Sequence, residues 1–174
     1  DKYICDKIEE VYPLDSIISE ERNPKEGNRR TWVIDPLDGT TNFTHGIPDF
    51  VIYIALADDN IPVVGVAYDP IADKMYSGIK DGGAYLNNNN ITVSKRKLNE
   101  SLVILANDYL FPNLSKKGLK LLEVLTEETE PGRQRTFRQR IAEGGNRITY
   151  IASGSYDGFV IDKTKPWDIA AAGV

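Results

Sequence analysis

Thr31-Trp-Val-Ile-Asp-Pro-Leu-Asp-Gly-Thr-Thr-Asn-Phe43 decides how this chain is read. Trp32 to Ile34 is a short apolar β run, and Asp35-Pro36 breaks it, because proline fixes φ and has no amide to continue a ladder. Asp35 and Asp38 then stand three positions apart. A chain leaving a strand through a tight turn aims both carboxylates, and the Leu37 carbonyl between them, at one point. Oxygens so gathered suit a hard divalent cation, and Mg²⁺ takes one or two carboxylates together with water and substrate phosphate. Gly39-Thr40-Thr41 adds a permissive backbone, amides and hydroxyls, and a helix starting there places an anion site beside the metal site. The competing reading is a strand closed by a Pro-Asp-Gly turn with solvated aspartates.

Upstream, Ile4, Ile8 and Val11 recur at helical spacing with Asp6, Lys7, Glu9 and Glu10 between them, which predicts an amphipathic helix over the opening segment, ended by Tyr12-Pro13. Ser16 to Ser19 is a short β-like run leading to Glu20-Glu21. Taken alone, a glutamate pair is a solvated loop edge. Asn23 to Arg30, with Pro, Gly and mixed charge, reads as an exposed loop.

Downstream, Thr44 to Pro48 forms a second turn, in which His45 is a packed or solvated loop residue more readily than a phosphate contact. Val51 to Ala57 and Val63 to Tyr68 form a hairpin through Asp58-Asp59-Asn60. Lys74 to Ile79 and Ala84 to Leu86 follow as strands, with Asn87 to Asn90 as a loop tip and Ile91 to Val93 closing the sheet. From Ser101 the character changes: a strand to Ala106, an amphipathic helix over Leu114 to Glu128, a basic strand around Arg133 to Arg140, a helix over Ile141 to Ala152, and a strand over Phe159 to Ile161. Asp168 before Ile169-Ala170-Ala171-Ala172 is, on local grounds, a helix N-cap.

A chain of 174 residues with 41% hydrophobic content supports one sizeable core. The formal net charge of −5 argues against nucleic acid or an acidic membrane as main partner, and leaves a small anionic substrate open. One cysteine, Cys5, and one histidine, His45, leave carboxylates as the available metal ligands. No apolar run approaches the roughly 20 residues of a spanning helix, so a soluble cytoplasmic protein is the expectation.

Three segments, in this order, resemble the inositol monophosphatase family of metal-dependent, lithium-sensitive phosphatases: Tyr12-Pro13 with Ile17-Ile18-Ser19-Glu20-Glu21, the Trp32 to Phe43 string, and Pro166-Trp167-Asp168 before small residues. Ser19 stands where glycine is usual. The resemblance implies an α/β fold, the layered αβαβα sandwich of the sugar-phosphatase superfamily, truncated at both ends. It forms a single domain over 1–174, with a first sheet region over about 1–100 and a second α/β region over about 101–174. It further implies one Mg²⁺ held by Glu20, Asp35 and the Leu37 carbonyl, with Glu21 in reserve, and a second held by Asp35, Asp38 and Asp168. The shared Asp35 would bridge cations about 3.5–4 Å apart. Glu20, Asp38 and Thr40 become the catalytic residues, Thr40 orienting or deprotonating water, while Gly39, Thr40 and Asp168 bind substrate.

The implied reaction is hydrolysis of a small polyol or sugar phosphate, inositol monophosphate first, by in-line attack of water without a phosphoenzyme. Fructose 1,6-bisphosphate, a nucleotide 3′-phosphate and histidinol phosphate are alternatives, as is a catalytically incomplete fragment. A homodimer is the expected assembly. Two departures bear on specificity. The small-residue helix start, usually Gly-Ser-Ala-Ala, appears as Ala142-Glu143-Gly144-Gly145, and the glutamate that commonly follows the Gly-Phe strand is Ile161. The family's upstream Thr-x-x-Asp falls before residue 1.

Overall fold

Val51–Asp58 alternates buried and half-buried side chains along its length, the signature of a strand covered on both faces. The computed structural model of the protein describes residues 1–106, 116, 120, 138–142, 144–161 and 164–174. In chain order the elements are helix α1 (Lys2–Val11), strands β1 (Ser16–Ser19), β2 (Arg22–Lys25) and β3 (Arg30–Asp38), and short helix α2 (Thr40–Thr44). Strands β4 (Val51–Asp58), β5 (Ile61–Asp69), β6 (Lys74–Ile79), β7 (Gly83–Leu86), β8 (Asn89–Ile91), β9 (Leu102–Ala106) and β10 (Arg138–Ala142) follow. Helix α3 (Arg147–Ala152), strand β11 (Gly158–Val160) and helix α4 (Pro166–Ile169) come last, α4 running into a 3₁₀ turn over Ala170–Gly173.

Among the described residues, eight strands form one sheet in the order β2-β1-β3-β4-β5-β6-β7-β8, and three form a second in the order β10-β9-β11. The first is antiparallel except where β1 runs parallel to β3, and the second is parallel throughout. The mixed α/β architecture with a large sheet and flanking helices agrees with the expected fold class. Both faces of the large sheet are covered. Cys5 and Ile8 of α1 pack on Ile17 and Ile34, with Trp32 and Ile54 beside them. On the opposite face Val51, Tyr53, Ala67 and Tyr76 pack with Leu86, Ile91 and Ala171. Each fully buried aliphatic or aromatic side chain here contributes about 1.5–3 kcal/mol. The alanines after α4 let that segment lie against β5, where a Cβ on Gly65 would collide with the Ala171 carbonyl.

The β4–β5 turn places Asp59 and Asn60 at φ 49 and 64°, the left-handed pair of a type I′ hairpin, as Asp-Asp-Asn predicts. Asn87 and Asn88 also take positive φ, but Asn89 and Asn90 belong to β8, which ends at Ile91. Four expectations are corrected. Asn23 to Lys25, expected in an exposed loop, belong to β2, because Arg22 to Lys25 pairs back on β1. Strand β3 continues through Pro36 to Asp38. Ile141 and Ala142 end β10, so the helix begins only at Arg147. Asp168 lies at the third position of α4, where it accepts the Lys165 amide at 2.7 Å; Lys165 is the N-cap residue. The predicted helix over 114–128 and the alternation of Arg133, Arg135 and Phe137 lie outside the described residues, apart from Lys116 and Lys120, both helical. Among the described residues no helix is long and apolar enough to cross a membrane.

Candidate active site

A strand alternates faces with period two, so residues 35 and 38, an odd number apart, belong on opposite sides of a regular β3. The ladder with β4 shows how they come together. Asp35 pairs with Tyr53 and Asp38 with Val51, three steps on one strand against two on the other. This is a β-bulge, and it sits at Pro36-Leu37, where a missing amide costs nothing. The extra residue cancels the parity and returns Asp38 to the face of Asp35. Asp35 is 1% exposed; its Oδ1 accepts the Leu37 amide at 2.9 Å, and Thr40 Oγ1 donates to the Leu37 carbonyl at 2.9 Å. Gly39, at φ 91°, supplies the left-handed turn into α2.

Glu20 follows β1, which lies parallel to β3 and brings it alongside Asp35, and its amide bonds the Ile34 carbonyl at 3.2 Å. Ser19, in the position expected to be glycine, is buried with its hydroxyl donating to Asp1 Oδ1 at 2.5 Å. Asp168 enters from α4 and accepts Thr164 Oγ1 at 2.9 Å as well as the Lys165 amide. Together Glu20, Asp35, Leu37, Asp38, Gly39, Thr40 and Asp168 line one cavity of about 540 Å³, shared with Thr41, Asn42, Gly144, Arg147, Phe159 and Ile161. Glu20, Asp35, Leu37, Asp38, Gly39, Thr40 and Asp168, each named from sequence for metal, substrate or catalysis, thus reach the same wall. Glu21 and His45 do not: Glu21 is exposed at the β1–β2 turn, and His45 sits at the end of α2 with Nδ1 at 2.8 Å from the Thr41 carbonyl.

Burial lifts Asp35 to about 8, with the Asp38, Glu20 and Asp168 charges adding to the rise and the Leu37 amide opposing it. Glu20 is also raised, by burial first and then by Asp168 and Glu21, against a hydrogen bond with Asp35 that lowers it. Among the described residues no three acidic, histidine or cysteine side chains close tightly enough on one point to grip an ion as they stand. The donor set itself fits a hard divalent cation: it is all oxygen, includes a nearly inaccessible carboxyl, and shares the cavity with Arg147, the one basic side chain among the described residues that line it.

Arg147 escaped the sequence reading. It opens α3, is 9% exposed, reaches to 4.0 Å from Asp38 Oδ1 and lies over the Phe159 ring with its guanidinium carbon 5.4 Å from the centroid. The preceding Asn146 is anchored by Nδ2 donating at 3.0 Å to both Asp49 Oδ1 and Asp69 Oδ2. The available signal was an arginine beside asparagine at the entry to an apolar helical run.

Known proteins of one family share this sequence and fold. A model of the inositol monophosphatase family matches residues 1–174. The Nus factor SuhB of Haemophilus influenzae is 34% identical over 171 residues, covering 97% of this chain and 62% of that protein. The fructose-1,6-bisphosphatase/inositol-1-monophosphatase of Aquifex aeolicus is 34% identical over 178 residues, covering 98% and 65%. The solved inositol monophosphatase of Anabaena (Nostoc) superposes with a TM-score of 0.81 at 30% identity, covering 98% of this chain and 67% of that one. The chain therefore spans a little under two thirds of the length of the curated relatives it matches. With the family pattern over its whole length and the bulged Asp35–Asp38 turn facing Asp168 across one cavity, this chain belongs to the inositol monophosphatase family.

Proposed function

We propose that the protein hydrolyses a phosphate monoester of a small polyol or sugar with Mg²⁺, inositol monophosphate being the leading substrate. The observation that carries this reading is the buried Asp35 sharing a cavity wall with Glu20, Asp38, Asp168 and the Leu37 carbonyl. Glu20, Asp35 and Leu37 would hold one ion, and Asp35, Asp38 and Asp168 a second. When bound, such a pair neutralises the phosphoryl oxygens, lowers the pKa of water and stabilises the leaving alkoxide. The chain's own residues supply the rest. Thr40 is placed to accept or orient a proton of the attacking water, with its hydroxyl tethered to the Leu37 carbonyl. Gly39 and Thr40 line the cavity, where their amides would hold the phosphate, and Phe159 and Ile161 would form an apolar wall for the rest of the substrate. Names of relatives support both inositol phosphate and fructose 1,6-bisphosphate as substrates.

The test is phosphate release from inositol 1-phosphate and fructose 1,6-bisphosphate with Mg²⁺ varied and Li⁺ added. Mg²⁺-dependent, Li⁺-inhibited release is expected, and Asp38→Asn should lower it at least about 10²-fold while the protein stays folded. Activity retained in that variant removes Asp38 from the site. A second reading, binding without turnover, is favoured by the name Nus factor borne by several relatives; a folded protein that binds Mg²⁺ yet hydrolyses neither ester would support it.

A further inference from the structure

Among the described residues of the cavity wall, Arg147 is the one whose charge opposes the rest. Four carboxylates, Glu20, Asp35, Asp38 and Asp168, line the cavity with it, and a phosphate dianion entering such a site gains from any positive charge on the wall. The guanidinium offers a rigid fork of donors matched to phosphoryl oxygens. Its position is built. Asn146, pinned by Asp49 and Asp69, fixes the start of α3, the Phe159 ring supports the guanidinium plane, and Gly144 and Gly145 let the loop before α3 sit tight against β3 and β4, since a Cβ on Gly145 would lie 2.6 Å from the Asp38 carbonyl oxygen.

We infer that Arg147 is a phosphate-binding residue: its guanidinium lies beside Asp38 in the free protein and shifts onto a phosphoryl oxygen when the ester or inorganic phosphate enters. At 4.0 Å from Asp38 Oδ1, an oxygen held near Asp38 is within a small side-chain adjustment of hydrogen-bond distance. This inference rests on the phosphatase reading, and deepens it by assigning a residue that neither the family motifs nor the departures in the sequence single out. It also gives the site a second property. A cation beside Asp38 competes with Mg²⁺ for that carboxylate, so phosphate, by drawing the guanidinium away, strengthens metal binding, and the two ligands bind cooperatively.

The experiment is calorimetric titration of the purified protein with inorganic phosphate, at saturating Mg²⁺ and without it, and with Mg²⁺ at zero and saturating phosphate. Wild type, Arg147→Gln and Arg147→Lys are compared, with thermal melts to confirm folding. The glutamine variant should lose about 10-fold or more in phosphate affinity and bind Mg²⁺ no more weakly than wild type, and the positive coupling between the two ligands should shrink. The lysine variant, which keeps charge but not the fork, should lose about 3-fold; it decides the matter if the glutamine variant does not fold. Phosphate affinity within twofold of wild type in a folded variant, with Mg²⁺ binding intact, overturns the role of Arg147 and leaves the phosphatase reading standing. Wild type that binds neither Mg²⁺ nor phosphate overturns both.

Discussion

Asp35 combines near-complete burial with three acidic neighbours, and its protonation therefore decides how the site responds to pH. With its carboxyl raised to about 8, the metal-free protein keeps a proton there at neutral pH, and a cation must displace it. Mg²⁺ affinity should accordingly rise by up to about tenfold per pH unit between pH 6 and 8, then level off. Titrations in two buffers of different ionisation enthalpy would report about one proton released at pH 7, and a pH-independent affinity would contradict the assignment. Folding follows the same linkage. The unfolded chain releases this proton near the ordinary 3.8 while the fold retains it, so the metal-free fold loses stability as pH rises from that value toward about 8. Added Mg²⁺ should reverse the trend in thermal melts, and Asp35→Asn should flatten it.

At the scale of the element, the bulge in β3 and the glycines before α3 are two halves of one device. The bulge turns Asp38 to the face of Asp35, and Gly145 lets the α3 loop lie against that bulge, with Tyr53 Oη donating to the Gly145 carbonyl at 2.5 Å. A methyl group at 145 meets the Asp38 carbonyl oxygen and the Val51 amide nitrogen, each at 2.6 Å. Neither is a flexible side chain that can move aside. Gly145→Ala should cost about 1–3 kcal/mol of stability, read as a shift in denaturant midpoint at constant m, and should weaken Mg²⁺ binding in the folded fraction. The amphipathic α1, the hairpin turns and most strands were legible from periodicity and turn chemistry. The bulge was not, because Pro36 reads locally as a strand stop, and β2 was not, because its four residues gain strand character only from pairing with β1.

Across the whole molecule the two sheets are tied by Asp157. It accepts Ser94 Oγ, Arg96 Nε at 3.0 Å and the Leu102 amide at 2.7 Å, while Arg96 Nη2 donates to the Gly154 and Ser155 carbonyls at 2.7 and 3.0 Å. The segment leaving β8, the start of β9 and the turn before β11 are thereby locked together. Burial would raise Asp157, but the Leu102 amide, Ser94 and Arg96 outweigh it and hold the carboxyl below its ordinary 3.8. A depressed carboxyl stabilises the fold above that value, and the contribution is lost as pH falls below it. Asp157→Asn should cost about 2–3 kcal/mol, measured by chemical denaturation at pH 7, and the difference from wild type should narrow below pH 4. An unchanged midpoint would mean that the two sheets are held by packing alone.

By itself the sequence determined the family, the α/β class and the residues of the acidic wall, because the Asp35 to Thr41 string, the Glu20 segment and the Pro166 to Asp168 segment each carry donor atoms in short-range spacing that few other demands would produce. Tertiary structure alone decided which of those donors share a face, since parity along β3 is reset by a bulge visible only in the ladder with β4. It alone decided that Arg147 joins the wall, since nothing local distinguishes that arginine from a solvated helix residue. Its place follows from Asn146 held by Asp49 and Asp69, contacts spanning 97 and 77 positions, which no local pattern encodes.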